Sequence, residues 1–257
     1  MILVIGNTRE SSEMVRLLQS QDSVQGESSL RSSYGERVSQ GVVFLPRSLN
    51  CPMTVHLINK YKVQTVIDAA PIFFKGASQK TMAACREKEI RYIRFEPLRI
   101  HLSPSRDIYP VRDINTACEK ALSLGKTILL NAGNKHIEFF LKELLTFKKE
   151  VVVRVSEPGA LAGVITLGIK TQNIIFADRV FSDTFLRSLF KEYKVDVLVT
   201  RELGEGHGTA EELKASASEG IPVVLVSRPD LKYPECVNNY DQLLRTLLKK
   251  DKRSNES

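Results

Sequence analysis

Short β-rich apolar runs alternate with amphipathic helical runs along almost the whole of this 257-residue chain. A helix between two strands gives the length needed to bring them side by side in parallel, so the alternation implies an open, mostly parallel α/β sheet. Strands are expected at Ile2 to Gly6, Gln25 to Leu30, Val42 to Leu45, Thr65 to Ala69 and Arg91 to Phe95. Helical periods fall at Ser11 to Leu18, Thr54 to Tyr61 and Ser78 to Lys88. A stretch with three prolines and no helical period, PLRIHLSPSRDIYP, then interrupts the pattern and marks a domain boundary.

A second series follows. Helix Asp113 to Leu124 stops at Gly125, read as a C-terminal cap, and strand Thr127 to Asn131 comes next. Helices at Ile137 to Leu145, Asp183 to Tyr193, Ala210 to Ser218 and Asn239 to Leu248 are interleaved with strands at Glu150 to Val155, Asn173 to Ala177, Val195 to Thr200 and Pro222 to Ser227. The expected architecture is two Rossmann-like domains, residues 1–111 and 112–248, with mostly parallel sheets facing across a cleft, and a polar tail at 249–257. Ligands of such sheets bind at the C-terminal ends of the strands.

Composition narrows the function classes. No apolar run approaches the roughly 18 residues of a membrane-spanning helix, and no basic segment precedes the first strand, so neither a membrane anchor nor a secretory signal is expected. Cys51, Cys85, Cys118 and Cys236 lie far apart without a C-x-x-C pair, which fits reduced structural thiols in a cytoplasmic protein. The four histidines lack metal-ligand spacing, and no metal is expected. A net charge of +7 suits an anionic partner. Aromatic residues make up only 7% and do not interleave with the basic ones, which argues against nucleic acid.

Five loops could carry chemistry. Gly6-Asn7-Thr8 joins the first strand to a helix whose N-terminus favours a phosphate, with Asn7 able to hold a left-handed turn, although a single glycine leaves a plain strand-to-helix turn equally open. The second expected strand runs into Arg31-Ser32-Ser33-Tyr34-Gly35 with no acid at its end, so Arg31 either meets an NADP 2′-phosphate or is a surface cation. Asp68 either caps the turn after its strand or faces a ligand. In the second half, Asn131-Ala132-Gly133 and the glycine-rich Thr200 to Thr209 loop stand at strand ends, with His207 either solvated or functional. No nucleophile elbow or cysteine with a nearby base pattern appears, and no residue announces itself as a proton donor, so the catalytic residues are unassigned.

Taken in order, these loops resemble the precorrin-6A reductase family of cobalamin biosynthesis, including its cobalt-precorrin-6A branch. The family's opening G-G-T-x-E loop falls on Gly6-Asn7-Thr8-Arg9-Glu10, its Ser/Thr-x-Tyr-Gly element on Ser33-Tyr34-Gly35, and its D-A-T-H-P-F-A loop on Asp68 to Phe74, where threonine and histidine are lost. Its A-C-x-x-x-G-I-P-Y-x-R-x-E segment is similar to Ala84-Cys85 through Arg94-Phe95-Glu96. A T-T-G corner keeps only Gly133, R-V-x-P falls on Arg154 to Pro158, V-T-K-D-S-G-G becomes Val199 to Glu205, and Gly220-Ile221-Pro222 and Arg228-Pro229 match. The resemblance implies a reductase that transfers hydride from NADPH, with NADH possible, to a carboxylated tetrapyrrole. By motif position Gly6, Asn7, Thr8, Ser33, Tyr34 and Gly35 would hold the nucleotide, with Arg31 added from its place at the end of the second expected strand. Asp68, Ser78, Gly133, Thr200, Arg201, Glu202 and Gly204 would line the substrate site. The competing readings are a diverged relative that binds tetrapyrrole or nucleotide without turnover, motivated by Ala70, Pro71, Asn131, Leu203 and Glu205, and an unrelated α/β binding protein. Oligomeric state is not legible.

Overall fold

A computed structural model describes residues 1–20, 30–31, 36–39, 41–45, 50–102 and 106–251. The chain forms two compact units. The first comprises Met1–Pro97 together with Pro229–Ser257, and the second Leu98–Arg228.

The first unit is a sheet of order β13-β6-β5-β1-β4-β3-β2. Its parallel centre is β1 (Ile2–Ile5), β4 (Val42–Leu45), β5 (Thr65–Asp68) and β6 (Arg91–Phe95), all but completely buried. Strands covered on both faces read as near-continuous apolar runs, as these do. Helices α2 (Cys51–Lys60) and α3 (Lys75–Glu87) cover one face, where Leu57, Ile58, Ala84 and Cys85 meet Leu3, Ile5, Val66 and Tyr92. On the other face α1 (Arg9–Gln19) and α9 (Tyr240–Asp251) bring Met14, Leu18 and Leu243 against Val4, Ile67 and Phe95. Each such fully buried aliphatic side chain stabilises the fold by about 1.5–3 kcal/mol.

The chain returns to this unit at its end. Strand β13 (Cys236–Val237) adds to β6 in parallel, and Arg91 clamps Glu235 with two hydrogen bonds of 2.8 and 2.6 Å while donating a third to the Thr246 carbonyl.

The second unit has sheet order β10-β9-β8-β11-β12-β7, every pairing parallel. Its strands are β7 (Ile108–Val111), β8 (Thr127–Leu130), β9 (Glu150–Val155), β10 (Ile174–Phe176), β11 (Val197–Arg201) and β12 (Val223–Val226). Helices α7 (Asp183–Glu192) and α8 (Thr209–Glu219) place Leu186, Leu189, Phe190 and Ala215 against Leu129, Val152, Leu198 and Leu225. Helices α4 (Ile114–Leu124) and α5 (Ile137–Thr146) pack together, burying Ala117, Cys118, Phe140 and Leu141. Helix α6 (Pro158–Thr166) follows β9.

Three expectations change. The division expected at residue 111 falls instead at Pro97, because Ile108–Val111 is an edge strand of the second sheet, where Pro110 costs no ladder bond to a further neighbour. Residues 229–251, expected to finish the second domain and begin a tail, complete the first unit, and α9 continues to Asp251. Finally, the second strand in chain order, expected at Gln25 to Leu30, is not a neighbour of β1, which pairs with β4. Of that stretch, 25–29 lie outside the described residues, and Leu30–Arg31 forms β2, an antiparallel strand at the sheet's outer edge.

Gly125 also caps α4 differently from expectation, in extended backbone. A Cβ there would lie 2.4 Å from Asp196 Cβ, so close packing against β11's lead-in demands the glycine.

Candidate functional site

Both sheets reverse their winding at one point. In the first, the chain leaving β1 builds β2, β3 and β4 on one side and that leaving β5 runs to β6 on the other, so the crevice lies at the C-terminal ends of β1 and β5. In the second, β8 leads to β9 and β11 leads to β12 in the opposite direction, which places the crevice at the ends of β8 and β11. The loops at Gly6, Asp68, residues 131–133 and residues 200–209 singled out in sequence stand at these two points.

At the first, Gly6 closes on the β5 loop. A Cβ on Gly6 would sit 2.6 Å from the Ala69 carbonyl oxygen and 2.8 Å from Ser11 Cβ, so only glycine lets the two loops approach. Thr8 caps α1 in a reciprocal box: its Oγ1 accepts from Ser11 N at 3.2 Å, while Ser11 Oγ accepts from Thr8 N at 3.1 Å and donates to Thr8 O at 2.7 Å. Asn7 is exposed and keeps negative φ, so the left-handed role expected of it is not used.

Asp68, expected to line a substrate site, is fully buried. Its Oδ1 accepts from Ala70 N at 2.9 Å and from Arg94 Nη1 at 3.2 Å, and its Oδ2 accepts from Tyr92 Oη at 2.7 Å. Arg94 in turn donates from Nε to Glu96 at 3.2 Å. Burial, reinforced by Asp68, drives the Tyr92 hydroxyl far above its ordinary range, so it remains a donor. Asp68 therefore fixes the β5 turn from beneath. Ser78 is buried within α3.

Arg31, at the end of β2, lies three strands from β1, roughly 14 Å at ~4.8 Å per strand. The strand beside β1 is β4, so Arg31 does not stand at the end of that strand. Ser33, Tyr34 and Gly35 lie outside the described residues.

At the second crevice, Gly133 has φ of +80°, and a Cβ there would fall 2.3 Å from the Arg201 guanidinium. Arg201 thus lies flat on the Gly133 backbone. Behind it stands Glu212 of α8, a residue the sequence patterns did not single out. Its Oε1 accepts from Asn131 Nδ2 at 2.5 Å, its Oε2 from Thr200 Oγ1 at 2.6 Å, and Arg154 Nη1 approaches Oε1 at 3.7 Å. Burial pushes the Glu212 carboxyl upward, opposed by Thr200, Arg154, Asn131 and Arg201. Burial pulls the Arg201 guanidinium down to about 10. Arg154 also donates to the Arg179 carbonyl and covers the Phe181 ring at 4.5 Å.

Glu202 and Gly204 diverge from this cluster. Glu202 Oε2 accepts from Arg99 Nη1 at 3.1 Å and from Arg228 N at 3.3 Å, and Arg228 Nε donates to the Glu202 carbonyl at 3.1 Å. Gly204, with φ of +97°, helps form a loop that Thr209 Oγ1 closes by bonding Arg201 O at 2.9 Å and Leu203 N at 3.2 Å. Glu205 is exposed, and His207 Nδ1 lies 2.8 Å from the Glu205 carbonyl within the same loop.

No disulfide joins the described cysteines, and burial pushes Cys85 up to about 12 and Cys118 to about 11. Among the described residues no group of histidine, cysteine and carboxylate could hold a metal ion, and no helix is long and apolar enough to cross a membrane.

The model of the precorrin-6x reductase family, CbiJ/CobK, matches residues 1–248. The chain belongs to this family. Its members are oxidoreductases of corrin biosynthesis that use a nicotinamide cofactor, and the chain is an oxidoreductase of that kind. Relatives of this CbiJ/CobK chain include the cobalt-precorrin-6A reductase of Methanocaldococcus jannaschii, 25% identical over 95% of this chain and 96% of that protein. The Priestia megaterium cobalt-precorrin-6A reductase is 27% identical over 74% of this chain and 75% of its own length. The solved structure of the CobK precorrin-6A reductase shares the fold, with a TM-score of 0.72 and 96% of each chain covered at 19% identity.

Proposed function

We propose that the chain transfers hydride from NADPH, with NADH as the weaker donor, to precorrin-6A or its cobalt form. The observation that carries this reading is the coincidence of the Gly6, Asp68, Gly133 and Thr200 loops with the winding reversals of both sheets, where ligands of such folds are held. Gly6 and Thr8 would cradle the nucleotide phosphates at the first crevice, where α1 presents its N-terminus behind the Thr8 cap. In sequence β4 is followed by Pro46-Arg47-Ser48, with no acid to hold a ribose 2′-hydroxyl, which supports NADPH.

At the second crevice Gly133, Thr200 and Arg201 would meet a carboxylated edge of the macrocycle, as the positive net charge favours. The nicotinamide, when bound, supplies the hydride. The chain's residues orient the reactants and balance charge at the crevice. Glu202, held by Arg99 and Arg228, keeps the Thr200 to Thr209 loop in place. Free thiols suit a cytoplasmic setting.

Anaerobic mixing of the protein with each nucleotide and with precorrin-6A or cobalt-precorrin-6A tests the proposal. Loss of nucleotide absorbance, faster with NADPH and abolished by Thr8→Glu in folded protein, is the expected result. Folded protein that binds nucleotide but leaves it unoxidised with either macrocycle would overturn it.

A further inference from the structure

Glu212 has no counterpart among the motif residues, yet its carboxylate accepts two short side-chain hydrogen bonds and meets an arginine at the second crevice. It is buried, and it touches side chains from three different elements: Asn131 after β8, Arg154 of β9 and Thr200 of β11. A carboxylate carried into such a place is costly unless donors and cations surround it. The packing of α8 does not require it, since Ala215 and Ser216 on the same face are small and buried.

Its neighbours indicate what it does. Arg154 lies 3.7 Å from the Glu212 carboxylate, Arg201 covers Gly133 nearby, and Asp178 is a second carboxylate whose charge acts on Arg154. Arg154 is only 18% exposed and is fixed on its other sides by the Arg179 carbonyl and the Phe181 ring. Arg201 is pressed onto Gly133 at the mouth of the crevice. Guanidinium groups recognise carboxylates and phosphates through a rigid planar fork, so their worth depends on being held in one orientation.

We propose that Glu212 is a positioning residue: it holds Arg154 and Arg201 together as a receptor for an oxyanion, either a carboxylate of the macrocycle or a phosphate of the nucleotide. The inference rests on the second crevice being a ligand site of the reductase. A carboxylate that bonds both Asn131 and Thr200 also ties the ends of β8 and β11 together, which keeps Gly133 beneath Arg201.

Steady-state kinetics of the full chain with Glu212→Gln, Glu212→Asp and Arg201→Met test this. Each variant is first checked for an unchanged thermal midpoint. In Glu212→Gln the KM for one of the two ligands should rise tenfold or more, with kcat changed less than threefold and the other KM unmoved, and Arg201→Met should raise the same KM. Glu212→Asp, which keeps the charge, should recover part of the loss. A rise confined to the macrocycle assigns a carboxylate, and a rise confined to NADPH assigns a phosphate. If neither KM moves in a folded Glu212→Gln variant while Arg201→Met raises one, Glu212 does not position the arginines. If neither variant moves either KM while wild type turns over, the second crevice is not the anion site, although the reductase assignment stands. Equal rises in both KM values with a lowered thermal midpoint would make Glu212 a purely structural residue and overturn the proposal.

Discussion

Gly6 shows how one residue can be constrained by space and not by backbone conformation. Its substitution by alanine would force the Ala69 carbonyl and Ser11 apart, and overpacking of that kind costs about 1–3 kcal/mol. Gly6→Ala should therefore lower the urea midpoint of the first unit and weaken nucleotide binding, read by denaturation and by cofactor fluorescence; an unchanged midpoint would show that the loops can shift freely. At this scale the sequence was partly readable. The turn-capping role of Asp68 was one of two readings, and the bond to Ala70 N is that role. What could not be read was its complete burial, because Tyr92 and Arg94 reach it only through sheet pairing. Glu212 was missed for the same reason. A signal did exist: it lies in helical register with the buried Ala215 and Ser216, and an acid on the inward face of a helix calls for a partner.

Among the elements, the strongest periods gave the most accurate bounds. Strands at 42–45, 91–95 and 150–155 match expectation residue for residue, since buried β-branched runs have few alternatives. The missed elements lack the signal that periodicity needs. Helix α6 is Pro-Gly-Ala-Leu-Ala-Gly-Val-Ile-Thr, apolar or small all round, with no polar face to set a period. Strand β13 has two residues, and β7 carries a proline. Capped helix starts were legible at α7, expected from and beginning at Asp183, but not at α2, which begins at Cys51 behind Asn50 and not at Thr54. At α4, Asp113 accepts from Thr116 N at 2.9 Å, and the Thr116 bonds hold its carboxyl below the usual range. A lowered folded-state value means this contribution is complete above the unfolded value, about 3.9, and disappears as pH falls through the folded one. Asp113→Asn should thus flatten the acid limb of the stability curve, measured by urea denaturation between neutral pH and about pH 3; an acid limb identical to wild type would count against the cap.

For the molecule as a whole, the class of fold was legible because alternation of strand and helix admits few topologies, whereas the path of the chain was not. Nothing in the composition of residues 229–251 distinguishes a last helix of one unit from a closing element of the other. Pairing decides it: Arg94 N donates to Glu235 O at 2.8 Å, Glu96 N to Val237 O at 2.9 Å, and Arg91 clamps Glu235. A chain ending at Arg228 should lose protection from proteolysis across residues 1–97 while residues 98–228 keep theirs; equal protection of both would show that the returning segment is dispensable. The same feature sets an order on biosynthesis. At ~5–20 residues per second, strand β6 leaves the ribosome roughly 7 to 28 s before β13 can pair with it. Through that interval the second unit can collapse, while Tyr92-Ile93-Arg94-Phe95 waits as an open edge, the stretch of the nascent polypeptide most exposed to premature aggregation.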